Sequence, residues 1–448
     1  MSVISNMSVE AVSSREIAIH VLHRVFEEGA YAMPTLDAAI RRGTLQQRDA
    51  ALATQIVYGT LRVVPSLDRA LEPHSARPKR TDPWVRTALR AAAYQILYLT
   101  RVPPRAVVHE TVSIVQRKRG KKVGGFVNAV LRKIQRVEGE APPELLELPT
   151  WLSHQLLDRP CEYSLLRRVS PKSMPPPLGV RLCGIDRLEF IERLLEFQPH
   201  AEVALDEELP CAISVLGAAD PRKWPGYATG QFVIQERGSQ RVGGISALLA
   251  KGRVLDACAG HGSKTMQLLQ SAASVVATDL HGGKLKSLRR EYRRLGLQTP
   301  LDTRTVDFAS GTLGLSEERF DHILVDAPCT GLGTVARRPE LLLRLKPEDP
   351  SRMAVLQYSI LEHVSALLKP GGVLCYSVCS PHPSEGAEVA SRFLAERSGW
   401  SMPAPPVAHF STLIGSDGGL RLGDSQSDLD NYQIYLFQRG DPSADLSG

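Results

Sequence analysis

Between residues 252 and 380, apolar runs of strand length alternate with segments of helix length, and that rhythm restricts the fold more than any other feature of the chain. Strands separated by helices cannot close as hairpins; they pair as parallel neighbours through crossover connections. The runs are Arg253-Val254-Leu255-Asp256-Ala257-Cys258, Ser274-Val275-Val276-Ala277-Thr278-Asp279, a strand closing at Thr305-Val306-Asp307-Phe308, Phe320 to Asp326, and Gly371 to Ser380. Parallel strands covered on both faces read as nearly continuous apolar runs, as these do. Open α/β sheets hold their ligands beyond the carboxyl ends of their strands. There the runs place Cys258, Asp279, Asp307, Asp326 and Cys379.

The first run leads into Ala259-Gly260-His261-Gly262-Ser263-Lys264-Thr265. Its glycines allow a tight turn and close approach of a ligand to the backbone, and a helix start behind it offers amide donors. Asp279 ends the next strand about 20 residues on, the spacing at which a carboxylate meets ribose hydroxyls. A dinucleotide requires a G-x-G-x-x-G turn for its pyrophosphate, which residues 259–265 lack. S-adenosylmethionine has no phosphate and tolerates a looser turn. Cys258, Ala259, Gly260, His261, Gly262, Ser263, Lys264, Asp279, Asp307 and Asp326 are the candidate cofactor-binding residues. Asp307 reads either as a partner of an adenine amino group or as a loop cap, and His261 as a turn residue open to water.

Two cysteines stand at strand ends, in Asp326-Ala327-Pro328-Cys329 and in Ser377-Val378-Cys379-Ser380. Alone, Cys379 reads as a small residue capping a core strand, since free cysteine is among the most buried residue types. A second cysteine and several acids at the same sheet edge favour a nucleophile. Cys375, deeper on the same strand, reads as core. His382 reads as a solvent-facing loop histidine, with a Cys-His hydrolase as the competing possibility. The seven cysteines are odd in number and scattered, with no C-x-x-C pair. Neither disulfides nor a structural zinc site is expected, and no metal. The opening residues lack the basic start and apolar core of an export signal, and no apolar run is long enough for a membrane span, so a cytoplasmic protein is expected.

Residues 14–135 carry helical periodicity. Ile17, Val21 and Val25 with Ala18, Leu22 and Phe26 form one stripe, which Gly29 can end; Arg48 to Leu61, Val85 to Leu99, Val107 to Val115 and Phe126 to Ile134 continue the pattern. Arg117-Lys118-Arg119-Gly120-Lys121-Lys122 reads as a loop between helices, either merely solvated or gripping phosphates. The net charge of +6 permits a polyanionic partner without requiring one. Ala141-Pro142-Pro143 and the proline-rich 171–177 read as linkers; Val180 to Leu182 and Ala212 to Val215 read as strands, and Arg187 to Phe197 as an amphipathic helix.

Arg48 to Arg62, Ala93 to Tyr98 with Val102-Pro103-Pro104, and Gly125 to Arg132 resemble the NusB-like RNA-binding domain. Asp326-Ala327-Pro328-Cys329 together with Val378-Cys379-Ser380 resembles the RNA cytosine-5 methyltransferases of the NOL/NOP/Sun group. In combination these are similar to the ribosomal small-subunit methyltransferase B family, also called Sun or Fmu. The resemblance implies an α/β fold: a Rossmann-like S-adenosylmethionine-dependent methyltransferase domain (228–448), preceded by an all-α NusB-like domain (1–138) and a linker with a small α+β module (139–227). It implies methylation at C5 of a cytosine in 16S (small-subunit) rRNA, with Cys379 attacking C6 and Cys329 assisting release; the chemistry of that attack makes Asp326 the candidate to act at N3 if its acid is held partly neutral in a desolvated pocket. Lys118, Arg119, Lys121, Lys122, Arg337 and Arg338 are the expected RNA contacts, and a monomer is expected. A tRNA cytosine-5 methyltransferase and a non-catalytic RNA-binding assembly factor are the alternatives on the same scaffold. The chain departs from the family at the donor turn, where Ser263 replaces a glycine, at Cys183 in place of asparagine, at Glu236 in place of aspartate, and in a one-place shift of Arg337 and Arg338.

Overall fold

The computed structural model describes residues 13–43, 45–74, 81–134, 146–156, 166, 169–217, 220–312, 314–406, 414–423 and 429–441. Ala141-Pro142-Pro143 and Cys161 lie outside them. The chain forms two compact units, one of residues up to Pro175 with Val335–Arg344, the other of Pro176–Thr334 with Leu345 onward.

The first unit is helical: α1 (Ser14–Glu27), α2 (Ala32–Gly43), α3 (Gln47–Arg62), α4 (Val64–Leu71), α5 (Pro83–Tyr98), α6 (Pro104–Arg119), α7 (Lys121–Leu131) and α8 (Thr150–Gln155). Ser13 and Asp82 cap α1 and α5 by accepting from the backbone N–H of Glu16 and Val85, each cap contributing about 1 kcal/mol. Gly29 adopts a positive φ of 66° two residues after α1 ends. The sequence pattern did not announce α2 and α4. α2 fully buries only Ala32, Thr35 and Leu36, and α4, although it buries Val64, Leu67 and Leu71, is only eight residues long with Pro65 in its first turn. The basic run is not a loop. α6 continues to Arg119, α7 starts at Lys121, and Gly120 alone, at φ 88°, turns the chain between them. Gly59 lets α3 approach α5 closely: a Cβ there would lie 1.9 Å from the Tyr94 ring. Segment 335–344 is sewn into this unit by the buried Arg62, whose guanidinium donates to the carbonyls of Ser170 (3.2 Å) and Ala336 (3.0 Å). The Ala32 N–H donates to Glu340 (3.0 Å).

The second unit holds two sheets. The smaller is antiparallel, with order β2-β3-β1-β4: β1 (Leu178–Leu182), β2 (Glu202–Leu205), β3 (Ala212–Leu216) and β4 (Phe232–Ile234). Helix α9 (Arg187–Phe197), capped by Asp186, packs Phe190 and Leu194 against Val180, Ile213 and Phe232. Helix α10 (Arg237–Leu249) follows. Glu236 caps it by accepting from the Ser239 N–H (2.8 Å), so glutamate serves where the family has aspartate.

The larger sheet has β5 (Arg253–Asp256), β6 (Ser274–Asp279), β7 (Leu301–Thr305), β8 (Phe320–Asp326), β9 (Leu368–Val378), β10 (Trp400–Ser401), β11 (Leu420–Leu422) and β12 (Tyr432–Arg439). Its order is β10-β12-β9-β8-β5-β6-β7, with β11 paired to β12. Strands β5 to β9 pair in parallel, and β12 runs antiparallel beside β9. After β7 the chain crosses back to place β8 on the other side of β5, so the order reverses there. Such a switch point opens a crevice at the strand ends. Helices α11 (Thr265–Leu268), α12 (Gly282–Arg294), α13 (Asp349–Ser365) and α14 (Ala387–Ala395) connect the strands. Lys369 and Pro370, ahead of the run read from Gly371, also lie within β9, and the β8–β9 pairing shifts register between Phe320 and His322 of β8. Among the described residues no helix is long and apolar enough to cross a membrane.

Candidate active site

Register puts the two cysteine motifs side by side. β8 and β9 are neighbours, their last register pair is Asp326 with Ser377, and each strand reaches a cysteine within a few residues. Cys329 and Cys379 lie 3.2 Å apart, sulfur to sulfur, both half-buried. The hydrogen bond to Cys379, then burial, hold the Cys329 thiol protonated well above its usual range.

Asp326 ends β8 on the same edge. It does not sit in the desolvated pocket on which its action at N3 was made conditional. Its side chain is 30% exposed; its Oδ2 takes the Lys264 ammonium at 2.6 Å and its Oδ1 accepts from the Ser377 hydroxyl at 2.9 Å. Lys264 comes from the donor turn and sits 5.5 Å over the Tyr432 ring. The Asp326 carboxylate raises the lysine's pKa against the burial that lowers it. The turn and the cysteine edge are thus joined by one ion pair.

In the donor turn, Gly260 and Gly262 adopt φ of 57° and 91°. A Cβ on Gly262 would lie 2.4 Å from Leu288. Asp279 is tied down: it accepts from the N–H of Gly260 (3.0 Å) and of His281 (2.8 Å) and faces Lys284. Ser263 is half-buried, Ala259 and Cys258 border the core, and His261 is exposed. Burial drives the Cys258 thiol far up, so it is inert. Asp307 caps its own loop by accepting from the Ala309 N–H (3.0 Å) and the Ser310 hydroxyl (2.9 Å). Cys375 is fully buried, as its place on the strand implied.

Sequence reasoning passed over Asp256, at the end of β5. It is 1% exposed; Oδ2 accepts from Thr265 (2.7 Å) and Oδ1 has no hydrogen-bond partner. Burial pushes its pKa up to about 7. An acid before a glycine turn was the available signal. His382 corrects an expectation: it is buried rather than solvent-facing, and its Nδ1 accepts from the Ser384 N–H, capping a short turn.

The basic candidates belong to the helical unit. Lys118 lies 4.8 Å over the Trp84 ring; Arg119 stacks on the same ring and pairs with Asp82. Lys121 and Lys122 are exposed in the first turn of α7. Cations there oppose the helix dipole by about 0.3–1 kcal/mol each, a cost that an approaching anion relieves. Arg338 is exposed near Tyr31, and Arg337 is half-buried. Glu110 pairs with Arg15, a structural role. A groove of about 980 Å³ between α6 and α7 is lined by Arg105, His109, Gln116, Asn128 and Arg132, and none of its described lining residues is acidic.

The sequence profile described as "16S rRNA methyltransferase RsmB/F" matches residues 247–432, and the NusB family profile matches residues 12–136. A probable ribosomal RNA small subunit methyltransferase B of Bacillus subtilis strain 168 is 32% identical over 406 residues, covering 87% of this chain and 89% of its own length. The chain belongs to the ribosomal RNA small subunit methyltransferase B family. Membership makes it an RNA methyltransferase. The family's Xanthomonas campestris member is 30% identical over 428 residues, covering 95% of this chain and 97% of its own. The solved structure titled PH0851 superposes with a TM-score of 0.78 at 21% identity, covering 97% of this chain and 100% of that one. NSun6 from Pyrococcus horikoshii superposes at 0.50 with 15% identity over 73% and 97%. These two likenesses concern the fold.

Proposed function

We propose that the chain transfers a methyl group to C5 of a cytosine in small-subunit rRNA through a covalent adduct between Cys379 and C6. The observation that carries this is the pair of thiols 3.2 Å apart beside the Lys264–Asp326 ion pair. C5 of cytosine is a poor nucleophile. Addition of the Cys379 thiolate at C6 turns the ring into an enamine with electron density at C5. As charge develops on the ring, N3 takes a proton through Asp326, with the Lys264 ammonium behind it as reservoir. S-adenosylmethionine, when bound, supplies the electrophilic methyl. A base then removes the C5 proton, N3 returns its proton through Asp326 as the C5–C6 double bond re-forms, and Cys379 leaves as a thiolate. Cys329, protonated and in contact with that sulfur, stabilises it by donating its S–H.

The residues around the donor turn fit such a cosubstrate. Two positive-φ glycines open the backbone, Asp279 holds the turn beside a site for ribose hydroxyls, and Asp256 keeps a buried oxygen without a partner. Asp307 borders the same strand ends. For RNA, Lys121 and Lys122 on the start of α7, with Lys118 and Arg119 before them, offer phosphate contacts next to the groove whose described lining carries no carboxylate. Arg337 and Arg338 add positive charge to the same unit. Bisulfite mapping of rRNA and tRNA from cells with and without the gene tests the reaction. Loss of one small-subunit rRNA methylcytosine is expected; loss only in tRNA would move the substrate, and no loss in either would overturn the reading.

A further inference from the structure

The β8–β9 ladder ends at Asp326 and Ser377, before either cysteine is reached. Sheet hydrogen bonding therefore does not by itself keep the sulfurs in contact. One backbone bond spans the two loops, from the Gly333 N–H to the Cys379 carbonyl (3.0 Å). The Thr330 hydroxyl also donates directly to the Ser380 hydroxyl (3.3 Å), and both hydroxyls meet on one further side chain. Glu385 lies in the short turn Pro383–Glu385 and is completely buried. Its Oε2 accepts from the Thr330 N–H at 2.7 Å and from the Gln357 amide at 3.3 Å, and its Oε1 accepts from the hydroxyls of Ser380 (2.6 Å) and Thr330. Thr330 directly follows Cys329, and Ser380 directly follows Cys379. Gln357 also donates to the carbonyl of Pro328, the residue before Cys329 (2.9 Å).

A carboxylate buried without a cationic hydrogen-bond partner is expensive to desolvate. Apolar packing would join two loops at lower cost but would leave the buried Thr330 N–H unsatisfied and the loop register undefined. We propose that Glu385 is the positioning residue of the cysteine pair: it bridges the loops after β8 and β9 and so sets the distance at which Cys329 serves the sulfur of Cys379. The catalytic meaning of that distance rests on the reaction proposed above; the bridging itself does not. Glutamine fits the same place, because the two hydroxyls can accept from an amide while its carbonyl oxygen accepts from the Thr330 N–H.

The test is made on the full chain with diamide, which oxidises two adjacent thiols to a disulfide while its N=N bond takes up the two hydrogens. Peptide mass mapping follows the Cys329–Cys379 cross-link, with no RNA present. Glu385→Ala is expected to slow cross-linking at least tenfold and Glu385→Gln to restore it to within about threefold of wild type. In methyl transfer, Glu385→Ala is expected to lower kcat by about 100-fold, the loss typical of a 1 Å misplacement, with the KM for RNA nearly unchanged. If Glu385→Ala is insoluble, Ser380→Ala with Thr330→Val removes both hydroxyl donors and is expected to slow cross-linking in the same direction. Wild-type cross-linking rates in a folded Glu385→Ala protein, or equal slowing by glutamine and alanine, would overturn the proposal. Slowed cross-linking in alanine alone, with no methylcytosine formed even by wild type, would uphold the bridge and sink the reaction.

Discussion

Asp256→Asn should make the sheet unit more stable than wild type by an amount that grows with pH. In the wild type the carboxyl is buried at the end of β5, with Asp326 and Asp279 nearby and one oxygen unpartnered. Burial, reinforced by those acids, raises its pKa from the ordinary 3.8 to about 7. A folded-state value raised above the unfolded one means that the folded chain holds the extra proton between those limits. The stability this contributes is fully present below about pH 4 and is lost as pH rises through 7. At 1.36 kcal/mol per pH unit, the interval corresponds to about 4 kcal/mol as an upper value. Asparagine keeps an acceptor for Thr265 but cannot ionise, so the variant is spared the loss. His322, fully buried on β8 and lowered by burial to about 4, acts in the opposite sense: its contribution is present above its ordinary value of 6.5 and is lost as pH falls towards 4. It is common to both proteins and cancels in their difference. Hydrogen exchange of β5 and β6 amides, measured for both proteins at matched pH from 4 to 8, reads the opening free energy of this sheet. The variant-minus-wild-type difference should rise by several kcal/mol, with about half reached near pH 5.5. A difference that stays flat within about 0.5 kcal/mol would refute the burial argument.

Cys329→Ala should accumulate a protein–RNA adduct that survives denaturing electrophoresis, whereas Cys379→Ala should form none; the opposite pattern would exchange the two roles. Asp279→Ala frees the Gly260 and His281 amides. It should weaken S-adenosylmethionine binding at least tenfold by calorimetry, about 1.4 kcal/mol, and an unchanged affinity would remove Asp279 from the donor site. Replacing Lys121 and Lys122 together by glutamine should lower RNA affinity and flatten the slope of log affinity against log salt by about 1.5, from roughly 0.7–0.9 per phosphate contact. An unaltered slope would place the RNA elsewhere.

Much of the larger sheet was legible in the chain because strands buried on both faces must be apolar along their whole length. Residues 274–279 and 320–326 were read with their observed limits, and 187–197 likewise as a helix, since its stripe follows a capping aspartate. Other elements were hidden for physical reasons. α4 carries Pro65, which reads as a breaker although the first turn of a helix tolerates it. The basic run around Gly120 has the composition of a loop, yet a single positive-φ glycine lets two helices meet there.

At the site, local sequence determined which groups have chemistry and that they stand at strand ends: Cys329, Cys379, Asp326, Asp279 and the glycine turn. Family pattern added the roles. Tertiary structure alone decided what those groups face. Placing β8 next to β9 brings together two thiols that are distant along the chain. The reversal of strand order at β5 brings the Lys264 ammonium to Asp326, turning an expected desolvated acid into a partly exposed carboxylate paired with a buried ammonium. Burial made His382 a turn cap and Glu385 a bridge. Periodicity reports which face of an element is buried; only the order in which strands are laid side by side decides which ends become neighbours, and the chemistry follows from those neighbours.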